Sequence, residues 1–171
     1  MKPRVYFAGK IGKNDWRHDL VPGLRGHEWK DGPIVTNSFD YIGPFFVASN
    51  HGGNHGPNRH GAVGDEFSFN QNYDQQDVID NNNASLDSAD MVFAYITAND
   101  CYGTLIEVGW ALAKHMRVVM LFALGIPVDD FWYSAMQSAA VHTNVHECCL
   151  PRLLASELQK TNPSAANAGA I

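Results

Sequence analysis

The chain lacks the features that would place it in several large classes. It has only three cysteines, Cys101, Cys148 and Cys149, an odd number with two of them adjacent, which is a poor basis for a disulfide framework. They read as reduced thiols, and the expected compartment is the cytoplasm. No stretch reaches the ~20 apolar residues of a membrane span, so no membrane partner is expected. A strand begins almost at once, at residues 4–8, with no apolar run behind a basic start, so no signal peptide is expected either. Basic charge is in deficit: 12 Lys and Arg face 18 Asp and Glu, a formal net charge of -6. A protein that neutralises phosphates along a strand shows a basic face, so a nucleic-acid polymer is not an expected partner, whereas a small anionic ligand is compatible. The dinucleotide pattern G-x-G-x-x-G is missing, and no internal repeat is visible. What remains is ordinary for a globular protein, with 45% hydrophobic and 18% charged residues in 171 positions, enough for one domain with a real core and too few for two.

The most informative stretch is residues 87–122, DSADMVFAYITANDCYGTLIEVGWALAKHMRVVMLF. It reads as strand (91–96), polar loop, helix (102–115) and second strand (117–122), because two short apolar runs rich in β-formers flank a segment with helical spacing. Two buried strands joined through a helix make a right-handed βαβ unit with parallel strands. Ligands of such sheets bind in the crevice above the strand ends, and Glu107 lies early in the helix that opens there.

Elsewhere, residues 5–8 form a first strand running into the turn Gly9-Lys10-Ile11-Gly12, a ligand-loop position. Asn14 or Asp15 is placed to cap a short helix through Leu20, ended by Pro22-Gly23. On it Trp16 and Arg17 lie near the turn: either Trp16 covers the core and Arg17 faces water, or they contact ligand. Ile34-Val35 and Phe45-Phe46-Val47 are short apolar runs, the second preceded by a turn at residues 40–44. Residues 32–72 form an insertion that includes HGGNHGPNRHG, with His51, His55 and His60. Zinc is the sharp reading of these histidines, but their spacing matches no common metal template and no cysteine lies nearby. A mobile loop covering the substrate is preferred, and no metal is expected.

Residues 74–88 read as a helix whose inward face, Val78, Asn82 and Leu86, carries an amide in its apolar stripe. An inward amide needs partners, from the backbone, water or a ligand. A further helix is expected from Asp129 or Asp130 to about Ala140, then a short strand over 141–146 and a closing helix over 150–160 with Pro151 in its first turn. The domain thus spans 1–160, with a flexible tail at 161–171.

Glu107 has two readings. Thr104-Leu105-Ile106-Glu107 has the S/T-x-x-E form of a capping box, in which the glutamate ties off its own helix. Against this stands the setting: Gly103 permits close approach of a ligand, and the helix opens at the carboxyl end of a buried strand. The helix N-terminus there favours an ionised carboxylate, which is able to act on a developing sugar cation.

The strings ADMVFAYI, GTLIEVGWALA and VVMLF, with VYFAGKI at residues 5–11 and Tyr133-Ser134-Ala135-Met136, resemble the nucleoside 2-deoxyribosyltransferase superfamily, which includes the nucleoside 5'-monophosphate N-glycoside hydrolases. The resemblance leaves residues 26–71 largely unmatched. It implies an α/β fold, a flavodoxin-like three-layer sandwich with a mainly parallel sheet of about five strands, assembled as a homodimer or higher homo-oligomer. It implies that Glu107 is the nucleophile, that Gly9, Lys10 and Ile11 line the nucleoside or phosphate site, and that Ser134, within Ser134-Ala135-Met136, faces a 5'-phosphate from a neighbouring subunit. Where the family usually carries aspartates this chain has Asn82 and Cys101, with Asp100 one place before the latter.

The function these readings imply is cleavage or transfer at the N-glycosidic bond of a (deoxy)nucleoside or its 5'-monophosphate, with no cofactor. Glu107 attacks, Asn82 orients the sugar or base, Asp100 or a loop histidine protonates the leaving base, and Lys10, Arg17 and Ser134 are the donors available to a phosphate. The alternatives are a non-catalytic nucleotide-sensing module on the same fold and a hydrolase of NAD or ADP-ribose derivatives.

Overall fold

A computed structural model describes residues 1–12, 15–24, 27, 29–45 and 75–161. The remainder of the insertion, with all three of its histidines, and the tail beyond 161 lie outside the described residues, as do the expectations attached to them.

Six strands form one sheet in the order β2-β3-β1-β4-β5-β6. These are β1 (Arg4–Gly9), β2 (Ile34–Val35), β3 (Asp40–Gly43), β4 (Met91–Ile96), β5 (Arg117–Ala123) and β6 (Ala140–Val145). All neighbours are parallel except the short edge pair β2 and β3. Without that edge strand, the five parallel strands run in the flavodoxin-like order, in which the chain leaves β1 to one side for β3 and returns to the other for β4.

The sandwich follows from strand parity. Side chains alternate across a strand, and both faces of the central strands are apolar, so each face collects its own core. Val5, Phe7, Met91, Phe93, Tyr95, Val119 and Leu121 pack on one side with Trp16, Leu20, Leu154 and Leu158, under α1 (Arg17–Leu20) and α5 (Leu150–Thr161). Tyr6, Ala8, Val92, Ala94, Ile96, Val118, Met120 and Phe122 pack on the other with Leu86, Val108 and Ala111, under α2 (Gln75–Asp87) and α3 (Tyr102–Ala113). Every residue of β4 is buried, as a strand covered on both faces requires.

Two expected elements are corrected. Residues 40–44, read as a turn, contain β3. Tyr41 and Ile42 are buried on opposite faces, and the reversal lies earlier, where Thr36 Oγ1 accepts from the amides of Ser38 and Phe39. Two apolar residues between an aspartate and Gly-Pro are too few to register as a strand without the neighbour β1 that pairs them. The helix expected to run to about Ala140 is a 3-10 turn (Val128–Phe131) followed by the short α4 (Trp132–Gln137), because β6 begins at Ala140 and pairs with Val119.

The far edge is pinned by Glu157 on α5. Its side chain has no exposed surface, yet it accepts from Arg117 Nη2 at 2.6 Å and Lys160 Nζ at 2.6 Å and contacts His142 Nε2 at 3.2 Å. Burial works against the carboxylate, but hydrogen bonds from Lys160, Arg117 and His142 outweigh it and hold the acid below its ordinary range. A depressed carboxyl contributes stability above its unfolded pKa that is lost as pH falls through the folded one. The variant Glu157→Gln is therefore expected to lose ~1–2 kcal/mol in urea denaturation at neutral pH, with partly exposed partners keeping the figure small. The difference from wild type should shrink once pH falls below the ordinary value of 4.5.

Candidate active site

Above the carboxyl ends of β1 and β4, where the chain's direction of progress across the sheet reverses, the loops that follow the strands enclose a cavity of about 210 Å³. This is where an open α/β sheet takes its ligand. Gly9, Lys10 and Ile11 line it from the β1 loop, Pro44 from the end of β3 and Asn82 from α2. Asp100, Cys101, Tyr102, Gly103, Thr104 and Glu107 line it from the β4–α3 loop and α3. Seven of the ten residues singled out from the sequence thus meet in one place.

Glu107 is not part of a capping box. The helix starts at Tyr102 with Cys101 at its N-cap and no side-chain cap bond, so Thr104 is already its third residue and Glu107 its sixth. The carboxylate instead reaches across to β1 and accepts from the Tyr6 hydroxyl at 2.5 Å. Nor does the helix terminus set its charge. Burial pushes its pKa up, the Tyr6 hydrogen bond and the Arg17 cation pull it partly back, and the result is about 7 against an ordinary 4.5. Tyr6 itself is pushed well above the usual phenol range, first by burial and then by the facing Glu107 charge, so it stays a donor. A carboxylate held by one described donor in a half-buried site keeps lone pairs for an electrophile and has lost part of the water shell that would blunt it.

Arg17 neither faces water nor lines the cavity. It is fully buried behind β1. Its Nη1 donates to both Asp15 oxygens at 2.9 Å, Nε to the Phe7 carbonyl at 2.9 Å and Nη2 to the Gly9 carbonyl at 2.8 Å. Asp15 also accepts from the amides of Gly12 at 2.9 Å and Arg17 at 3.0 Å. Burial disfavours that carboxylate, but the Arg17 charge and these amides hold it below its ordinary range. The pair therefore ties both ends of the residue 9–12 loop to β1. Only glycine fits at position 9, since a Cβ would lie 2.9 Å from the Tyr95 carbonyl oxygen and 3.1 Å from Arg17 Nη2.

At the mouth, Lys10 Nζ forms an ion pair with Asp100, bridging the β1 and β4 loops. Asn82 enters from the inward face of α2, whose neighbour Leu86 is buried, whereas Asp80 is exposed as its helical position dictates. Ser134 and Met136, on α4, lie away from the cavity of this chain: Ser134 is half-buried and Met136 is 80% exposed. Sequence reasoning missed Tyr6, Asp15 and Pro44. Tyr6 reads as one more apolar residue of β1, and only its parity, opposite to Phe7, signals that it faces the α3 side. Among the described residues no group of three or more His, Cys, Asp or Glu is disposed to hold a metal.

The raised acid has a thermodynamic consequence. A carboxyl whose folded pKa of about 7 lies above its ordinary 4.5 contributes stability that is present below the lower value and lost as pH rises through the higher one. Glu107→Gln keeps an acceptor for Tyr6 and cannot ionise. In denaturant titrations from about pH 4 to about pH 8.5, the variant should gain ~1–3 kcal/mol relative to wild type, a range discounted for the half-buried position. A pH-independent difference would contradict the burial of this group.

Compared with known proteins, the chain matches no family model and no curated protein significantly.

Proposed function

We propose that the protein cleaves, or transfers a glycosyl group at, the N-glycosidic bond of a nucleoside or its 5'-monophosphate. The observation that carries this reading is a carboxylate at the sheet's switch point, aimed into a cavity and held by a hydroxyl from the neighbouring strand. In this reading Glu107 attacks the anomeric carbon to give a glycosyl ester, with Tyr6 holding the carboxylate in line. Asn82 orients the sugar or base by hydrogen bonds, and the loop of residues 9–12 seats the 5' end. Water then releases the sugar, or a second base accepts it. Carboxylate, sugar and base suffice for the chemistry, and the three free thiols fit a cytoplasmic setting.

A second reading, a nucleotide-binding module without turnover, is favoured by one observation: the other cavity carboxylate, Asp100, is engaged by Lys10, and Asn82 has no proton to give. The two separate on assay. Incubated with a panel of nucleosides, deoxynucleosides and their monophosphates, the wild type should release free base, and Glu107→Ala should release it on the order of 10³-fold more slowly. Turnover should rise with pH through about 7, as the nucleophile ionises. Thermal stabilisation by the same compounds without base release would select the binding module.

The reading includes a second copy of the chain. The helices α3 and α4 present Tyr102, Ile106, Trp132, Tyr133 and Met136 to solvent, a concentration of large apolar side chains typical of an interface, and Tyr102 borders the cavity. Sedimentation should find the wild type as a dimer or larger and Ile106→Arg as a monomer. A monomeric wild type at micromolar concentration would refute the assembly.

A further inference from the structure

Breaking an N-glycosidic bond raises a question of protons. A neutral nucleobase departs as an anion unless an acid protonates it, and a positioned acid typically contributes 10²–10⁴-fold. Among the described residues around this cavity, Lys10 is held in the Asp100 ion pair, Thr104 is an alcohol of negligible acidity, and Tyr102 is 72% exposed, its side chain largely in solvent. The other described polar side chains are committed elsewhere or unsuited to that task. Glu107 is the attacking group, and the Tyr6 hydroxyl is directed at Glu107. Asp100 is paired with Lys10 across the mouth, and a carboxylate in an ion pair is in its basic form. Asn82 carries an amide, which orients but does not transfer a proton. Cys101 is buried, and burial pushes its thiol up from an already weak acidity.

The charges point the same way. Among the described residues, the charged groups lining the cavity are Lys10, Asp100 and Glu107, which sum to one negative charge when Glu107 is ionised. A cation entering this space is attracted to the nucleophile and favours its ionised form.

Building on the glycosidic-bond reading, we propose that the substrates of this site are N-glycosides with a cationic leaving group, nucleosides whose base is a pyridinium or an N-alkylated purine. Such a base needs no proton. A Glu107 oxygen forms the bond to the anomeric carbon while the carbon–nitrogen bond breaks, and its electron pair neutralises the positive ring. The products of that step are a neutral glycosyl ester and a neutral base. Water then adds to the anomeric carbon, the ester oxygen leaves as the Glu107 carboxylate, and one proton passes to solvent. The Lys10–Asp100 pair in this scheme is a wall of the site and takes no part in proton transfer.

The test compares 7-methylguanosine with guanosine, which differ at the leaving group by one methyl and one charge, and adds nicotinamide riboside as a pyridinium case. For each, kcat/KM is divided by the uncatalysed hydrolysis rate of the same compound at the same pH, which removes the greater intrinsic lability of the cations. The expected enhancement for 7-methylguanosine exceeds that for guanosine by about a hundredfold or more, the size of one missing acid, and nicotinamide riboside groups with the methylated compound. Asn82→Asp, which adds a group able to carry a proton, should narrow the ratio between the two guanosines. Equal enhancements for charged and neutral bases, abolished alike by Glu107→Ala, would overturn this inference and leave the nucleophile standing. No base released from any of the three, while the panel of deoxynucleosides and monophosphates does release base, would overturn this inference alone; no base released from either set would overturn both.

Discussion

A half-buried carboxylate on α3 that accepts a hydrogen bond from a tyrosine of β1 is the contact on which the site depends. Burial and hydrogen bonding act on Glu107 in opposite directions, and burial wins by enough to bring the acid to about 7. Were the hydroxyl and the Arg17 cation absent, burial would act unopposed and leave a neutral acid with little nucleophilic power. Were the group fully solvated, it would be ionised but shielded by water. The intermediate position keeps the group both ionisable near neutrality and poorly hydrated, a combination that an exposed helix cap does not have.

The supporting frame lies behind the strand. Buried ion pairs are seldom retained for stability, since apolar packing of equal volume often serves as well. The Asp15–Arg17 pair has a use that apolar packing cannot match. Its guanidinium satisfies two strand-end carbonyls and its carboxylate accepts the Gly12 amide, so the loop beside the cavity is defined by hydrogen bonds at both ends. Glycine at position 9 lets the guanidinium and the Trp16 ring approach the backbone. The same cation also favours the ionised form of Glu107, so loop and cavity carboxylate share one determinant.

Much of this was legible in the residue pattern, for identifiable reasons. The β4–α3–β5 unit declares itself because strands buried on both faces read as unbroken apolar runs, and Gly103 and Glu107 stand out at the opening between them. Asn82 is readable because helical periodicity places it on the same face as Leu86. What escaped depends on contacts distant in sequence. β3 is a strand only because β1 pairs with it, and Tyr6 matters only because Glu107 lies opposite. Arg17 looked like a surface or ligand-contacting residue because nothing nearby in sequence shows that Asp15 and two carbonyls will bury it. The apparent capping box was a coincidence of spacing, since the helix begins two residues before the threonine.

Tyr6 and Glu107 are separated by 101 positions along the chain, and β1 lies in the interior of the sheet between β3 and β4. The βαβ segment carrying the glutamate has local connectivity, whereas its hydroxyl partner arrives from the opposite end of the polypeptide and must insert as a middle strand. Without β1 in its place the acid has no Tyr6 donor. The arrangement is therefore a property of the assembled sheet, in which β1 supplies the donor and α3 the acceptor.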